Sequence, residues 1–334
     1  MLVAGRASAP GMGLLVAFPA RAHSPNHGQV IMMAQPVSDR IRGASWRRID
    51  WRKQAFAYAL LLPSLIFLTL FTYYPTLKTL RYSFLSSGFG AKTFVGFDQY
   101  ARVLQNEVFL KVMKNNLFLL VMTVPTSLLL AMYVAVWVNN RVRGNGFLRT
   151  AFFYPNVIPM IAIANIWLFI YTPDYGLLDK ALELVGVSGP NWLGDPSVVM
   201  WAMVIMIVWK EVGFFMVFYL AGLQNLPGEI REAAILDGAR PLQLFMRITF
   251  PLLMPTTLFC LVIATNSFRL VDHLYIMTKG GPDNASNLLL YHIYENAFSF
   301  WDTGAAAVLT VVLLVILLSV SIFNYAYLDK RIHY

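Results

Sequence analysis

The sequence predicts an all-α membrane protein with six transmembrane helices, and three observations carry that expectation. Of 334 residues, 58% are hydrophobic and only 13% are charged, whereas soluble domains carry about a quarter charged residues. The chain also holds six apolar runs, at 55–74, 117–138, 150–172, 197–223, 249–268 and 303–328, each near the ~20 residues that a bilayer-spanning helix needs. Finally, five of these runs contain no Asp, Glu, Lys or Arg. Backbone groups in hydrocarbon must be satisfied within the segment, which selects helices over lone strands. The alternating pattern of a porin-like barrel is absent.

Taken in order, residues 1–53 read as a mostly disordered cytoplasmic tail, leaving 54–334 as the membrane domain. The stretch 11–19 followed by Ala20-Arg21-Ala22 imitates a weak secretory signal, but its apolar core is short and broken by glycine and proline. Met32-Met33 offers an alternative start, and the basic cluster at 47–53 anchors the first span. Pro63, Pro125, Pro155 and Pro159 lie inside the first three runs. Membrane helices accept such prolines because neighbours re-satisfy the freed backbone groups. The fourth run is interrupted by Lys210-Glu211, and the fifth contains the single cysteine, Cys260, which cannot close an intrachain bridge. The sixth, 303–328, is uninterrupted.

Orientation follows from the basic residues, because Lys and Arg concentrate in cytoplasmic loops. The N-terminal tail holds eight, 139–149 holds three (Arg141, Arg143, Arg149), 224–248 three (Arg231, Arg240, Arg247) and the C-terminus two. The opposite side has six between Lys78 and Lys114, plus Lys180 and Lys279. Both termini are therefore expected in the cytoplasm. On this reading the net charge of +9 reports cytoplasmic flanks facing a lipid bilayer rather than contact with nucleic acid.

The loop between the fourth and fifth spans, 226–241, reads as a short helix. Pro227 and Glu229 suit its start, through fixed φ and the positive dipole end. Gly238 can take the left-handed position that ends it, and Pro241 can open a second short helix leading through Phe245 into the fifth span. Ile230, Ala233 and Ala234 share one face by the i, i+3, i+4 rule. The alanines keep that face shallow, between Glu229, Arg231, Glu232 and Asp237. Such a face suits either docking of a partner or rest at the membrane surface, and periodicity alone favours the surface helix.

Glu232-Ala233-Ala234, three residues, Gly238, nine residues, then Ile248 and Pro251 resembles the EAA loop of permease subunits of ATP-binding-cassette importers. Phe250 stands where that pattern usually has Leu. Further matches are Phe94-Val95-Gly96-Phe97-Asp98-Gln99-Tyr100, Asn115-Asn116 where Asn-Thr is usual, Trp192-Leu193, and Thr278-Lys279-Gly280-Gly281-Pro282. Together they resemble the sugar, polyol and glycerol-phosphate branch, which includes the maltose and glycerol-phosphate importer permeases. The resemblance implies the type I importer permease fold, with Glu232, Ala233, Ala234, Asp237 and Gly238 coupling it to an ATPase. It implies a second, related permease forming a heterodimer, two ATPase subunits that hold ATP and Mg, and an extracytoplasmic solute-binding protein. The setting is a bacterial cytoplasmic membrane, and no cofactor is expected in this chain.

Charges at membrane depth are functional hypotheses by default. Lys210 and Glu211 point about 100° apart as adjacent helical residues, so at least one must face another helix, water or solute. An ion pair to a neighbouring helix and contact with solute are both open on the residues alone. Asn266, Ser267, Phe268 and Arg269 bring hydrogen-bonding groups and a cation beside an aromatic surface. The resemblance places Lys210, Glu211, Phe214, Asn266, Ser267 and Phe268 near the transported sugar, and Arg269 adjoins them. A carbohydrate or polyol derivative is expected, with a slight lean towards an anionic one through Lys210 or Arg269. Trp167, Trp201 and Trp209 fit interfacial belts or helix packing better than sugar stacking.

Signatures of catalysis are missing. The chain has no G-x-x-x-x-G-K-[ST] phosphate loop, so it is not expected to be the ATPase. Its histidines lack H-E-x-x-H spacing, and no metal site is expected. An intramembrane enzyme and a secondary transporter remain rival classes; the second would ask for two matching halves, and no internal repeat is visible.

Overall fold

The computed structural model describes residues 51–86, 93–139, 145–265 and 271–328. Two units divide the chain, 1–63 and 64–334. In the first, the described stretch 51–63 is helical and exposed along its apolar length, opening helix α1 (Trp51–Leu68). The second unit holds the rest. Among the described residues four helices are long and apolar enough to cross a bilayer: Gln54–Tyr82, Glu107–Asn139, Val199–Gln224 and Thr303–Asn324. Two bent pairs complete six spans if each is counted as one, Gly146–Val157 with Met160–Ile170 and Pro241–Leu252 with Met254–Ala264.

The prolines locate the irregularities. α1 passes through a π-helical turn at Thr69–Tyr73 into α2 (Tyr74–Tyr82), with the Tyr74 amide reaching back to Thr69. Pro75 follows at once, and it cannot supply the amide that the ordinary ladder would take from it. A second π-helical turn, Phe245–Thr249, likewise precedes Pro251. The first span thus runs to Tyr82 rather than ending at 74. The third, expected as one helix over 150–172, is instead α5 (Asn145–Val157) and α6 (Met160–Ile170), meeting at 100°. Pro159 sits at the break with an extended ψ of 141°. The fifth is likewise divided, between α11 (Phe250–Leu252) and α12 (Met254–Ala264), where it bends by 64°.

Helix α8 (Val199–Gln224) is the axis of the second unit. It is apolar around most of its circumference, as a helix surrounded by others must be, and 61% of its most apolar stretch is buried. Its first half packs with α6, α13 (Asp272–Met277) and the 285–291 segment around Ile163, Tyr171, Met203, Ile207 and Leu274. Its second half packs with α4 (Glu107–Asn139) and α12 around Ala131, Ala135, Phe215, Met216, Tyr219 and Cys260. A third cluster joins α3 (Asp98–Leu104), the start of α4, α14 (Leu289–Tyr294) and α15 (Thr303–Leu328).

The segments at the α8 N-terminal end are built on hydrogen bonds. Asp179 of α7 (Leu177–Glu183) is buried, and its carboxylate accepts from Trp192 Nε1 at 2.7 Å and the Asp174 amide at 3.0 Å. Trp192 stacks on Tyr171 with 5.7 Å between centroids, and the Tyr171 hydroxyl donates to the Ala202 carbonyl of α8 at 2.8 Å. Asn115 of α4 donates to the carbonyls of Asn284 (2.9 Å) and Asn287 (3.0 Å). Ser286 Oγ closes the 278–286 turn by bonding Thr278 Oγ1 at 2.8 Å and the Gly281 carbonyl at 2.6 Å.

Candidate functional site

The 226–241 loop folds in outline as the sequence predicts. Pro227 is the N-cap of α9 (Gly228–Leu236), Glu229 lies in its first turn and Asp237 is its C-cap. Gly238 has φ +78°, a region that side chains disfavour. The Gly238 amide reaches Ile235 O and the Ala239 amide reaches Ala234 O, both at 3.0 Å, the bond pair that ends a helix on a left-handed residue. Pro241 then opens α10 (Pro241–Leu244), where Gln243 Oε1 accepts the Arg240 amide at 3.0 Å.

Of the expected face of Ile230, Ala233 and Ala234 only Ala234 is covered, while Ile230 and Ala233 stay exposed, as does Ile235. Ala234 is only 8% exposed, and Ile230 with Ile235 lines a hollow of about 560 Å³ that continues to Leu223, Leu244, Phe245, Ile248 and Leu252. Beside that face Glu229, Glu232, Ala233 and Leu236 share the i, i+3, i+4, i+7 spacing. All four are exposed, and Leu236 at 87% is almost bare. Leu236 is the residue the sequence reading missed; its i+3 distance from Ala233 was the available signal.

At membrane depth, Lys210, Glu211 and Phe214 are all half-buried on α8. The Lys210 ammonium donates to two backbone carbonyls of the broken third span, Pro155 at 3.2 Å and Ile158 at 3.0 Å. Nearby, Gly213 lets α8 meet α5 closely, since a Cβ there would collide with the Phe152 carbonyl. Phe214 stacks edge-to-face with Phe218 at 5.1 Å, and Phe218 with Phe259 of α12 at 5.3 Å, forming an aromatic ladder. Asn266, Ser267, Phe268 and Arg269 lie outside the described residues, so their expected convergence with Lys210, Glu211 and Phe214 has no described geometry.

Trp167, Trp201 and Trp209 all make ring contacts, while Trp201 and Trp209 keep 47% and 44% of their surface exposed. Trp167 lies 5.6 Å from Trp209 and 5.1 Å from Tyr171, while Trp201 sits edge-on to Phe118 at 5.0 Å. An apolar cavity of about 650 Å³ lies among α4, α5 and α8, bounded by Leu130, Phe152, Val208 and Trp209. On α13, His273 is fully buried, and neither ring nitrogen has a partner among the described residues. Burial holds its pKa down at about 4. Among the described residues no group of three His, Cys, Asp or Glu side chains could hold a metal ion.

A family profile described as "Binding-protein-dependent transport system inner membrane component" matches residues 127–334, which include α8, α9 and α12. The chain is 33% identical over 281 residues to the sn-glycerol-3-phosphate transport system permease protein UgpA of Agrobacterium fabrum, covering 83% of this chain and 96% of that one. It is 32% identical over 278 residues to the trehalose/maltose transport system permease protein MalF of Thermococcus litoralis, covering 82% and 94%. Among solved structures it resembles a bacterial ABC transporter involved in the import of the acidic polysaccharide alginate. That likeness has a TM-score of 0.73 at 24% identity and covers 85% of this chain and 98% of the other, which bears on the fold.

Proposed function

Because the chain belongs to the inner-membrane components of binding-protein-dependent transport systems, we propose that it is the membrane subunit of an ATP-driven importer for a carbohydrate or polyol derivative. The observation that carries the coupling half of this reading is α9. Its caps hold it as a short rigid helix, and its outward face offers Glu229, Glu232, Ala233 and Leu236 to a partner. Ile230 and Ile235 line a hollow of the subunit itself and stay partly open, at 42% and 53% exposure.

On this proposal, closure of two partner ATPase subunits around ATP and Mg pulls on α9. The movement passes through Pro241 and α10 into the fifth span and through Asn225 into α8, opening the solute path alternately to either side. The other partners are a second, related permease, giving a heterodimer, and an extracytoplasmic binding protein that delivers solute. This chain needs no cofactor and does no hydrolysis itself. Both termini and α9 face the cytoplasm.

The solute class rests on the relatives' names, one a glycerol phosphate system and one a trehalose/maltose system. Glu211, Phe214, Asn266, Ser267, Phe268 and Arg269 are the proposed solute-facing groups, supplying hydrogen bonds, an aromatic surface and one cation. The test of coupling is cross-linking from a cysteine placed at Leu236, in membranes containing the full set of subunits. A covalent adduct with an ATPase subunit, lost in Gly238→Pro, is expected; labelling by lipid-soluble probes alone would remove the docking role.

A further inference from the structure

The importer reading leaves Lys210 without a settled task, and its surroundings supply one. The two carbonyls it binds need a donor for a reason visible in the chain. In an α-helix the Pro155 carbonyl would take the amide of residue 159, but that residue is Pro159, which has none. The Ile158 carbonyl would take the Ala162 amide, which donates instead to the Pro159 carbonyl at 3.0 Å. Broken backbone at membrane depth is tolerated only where such groups find other partners. Lys210 is that partner for both, at 3.2 and 3.0 Å. The negative end of the α5 dipole also favours a cation at this place. Gly213, one turn along α8, permits the close approach of the two helices that brings the ammonium into reach.

We propose that Lys210 is a positioning residue for transport, clamping the 100° break between α5 and α6 rather than binding the solute. Two of its three N–H groups are committed to backbone. Selection for or against an anionic solute then falls to other groups, and the lean towards an anionic solute through Lys210 loses its support. Only the link to transport rests on the importer reading; the clamp itself does not.

The test uses the complete importer in proteoliposomes, with Lys210→Met, Lys210→Arg, Pro159→Ala and the double variant Pro159→Ala/Lys210→Met. Nitroxides at the exposed Phe147 and Phe169 report the angle between α5 and α6 by their separation. Uptake of a glycerol phosphate and of a neutral disaccharide reports selectivity. Lys210→Met is expected to shift or broaden the 147–169 distance and slow uptake at least tenfold, by the same factor for any solute carried. Lys210→Arg should stay within threefold of wild type. Adding Pro159→Ala returns an amide to the Pro155 carbonyl, so the double variant should recover at least threefold of the lost rate.

The clamp is overturned if Lys210→Met leaves the distance unchanged and raises KM only for the phosphate ester, or if Pro159→Ala restores nothing. Should Lys210→Met fail to assemble, assembly of the double variant becomes the readout: recovery supports the clamp and equal failure refutes it. A wild-type complex that carries neither solute would count against the solute reading while the distance measurement still decides the clamp.

Discussion

Gly238 shows how far a single residue can be read from sequence. Its place after an apolar helical stretch and before Arg240-Pro241 predicts a left-handed helix stop, and its φ is +78°. An alanine there should cost about 1–2 kcal/mol in that conformation, while proline cannot adopt it at all. Gly238→Ala should therefore retain part of the ATP-coupled uptake and Gly238→Pro should abolish it, with membrane insertion intact in both. Lys210 was legible as a costly charge, but its partners were not, because they are backbone atoms that carry no residue signature. The spacing of Pro155 and Pro159 was the signal that could have found them. His273 makes a separate prediction. Burial depresses its pKa from 6.5 to about 4, so the folded state resists protonation more than the unfolded one. Its contribution is complete above pH 6.5 and is lost as pH falls towards 4, by at most about 3 kcal/mol. The thermal midpoint of purified protein should drop between pH 7 and 4.5, and His273→Leu should flatten that drop. An equal drop in the variant would place the sensitivity elsewhere.

At the scale of elements, hydrophobic length located the four continuous candidate spans and both bent pairs, since a bilayer sets that length directly. Breaks within spans were less legible, because proline marks a possible kink without fixing its angle. Pro63 and Pro125 lie within continuous helices, whereas Pro159 marks a 100° turn. On α9 periodicity groups Ile230, Ala233 and Ala234 without saying which of them meets the rest of the chain, and only Ala234 is covered. The Trp192-Leu193 match also acquires a physical role, as Trp192 donates to buried Asp179 and stacks on Tyr171. Trp192→Phe keeps the stack but takes a donor from a buried carboxylate, at a cost of about 1–3 kcal/mol. Limited proteolysis should then cut within 171–198 faster than in wild type, and unchanged cleavage would deny Asp179 that anchoring role.

For the whole molecule, the account requires α7 and α9 to lie on opposite sides of the membrane, with α9 in the cytoplasm. Leu184 and Leu236 are 89% and 87% exposed, so cysteines at either position should be reachable. A membrane-impermeant thiol reagent should label Leu184→Cys in intact cells, and Leu236→Cys only after permeabilisation. The reverse pattern would invert the topology read from the basic loops. The central claim is that this subunit turns ATP hydrolysis by its partners into solute movement through the outward face of α9. The most direct measurement is ATP-driven uptake into proteoliposomes holding the assembled importer and its binding protein, comparing wild type with Glu232→Lys and Leu236→Asp. The account predicts that both variants assemble and leave the binding protein's affinity for solute unchanged. Both should lose at least tenfold of the ATP-dependent uptake. Full uptake in both variants, or wild-type uptake indifferent to ATP, would contradict it.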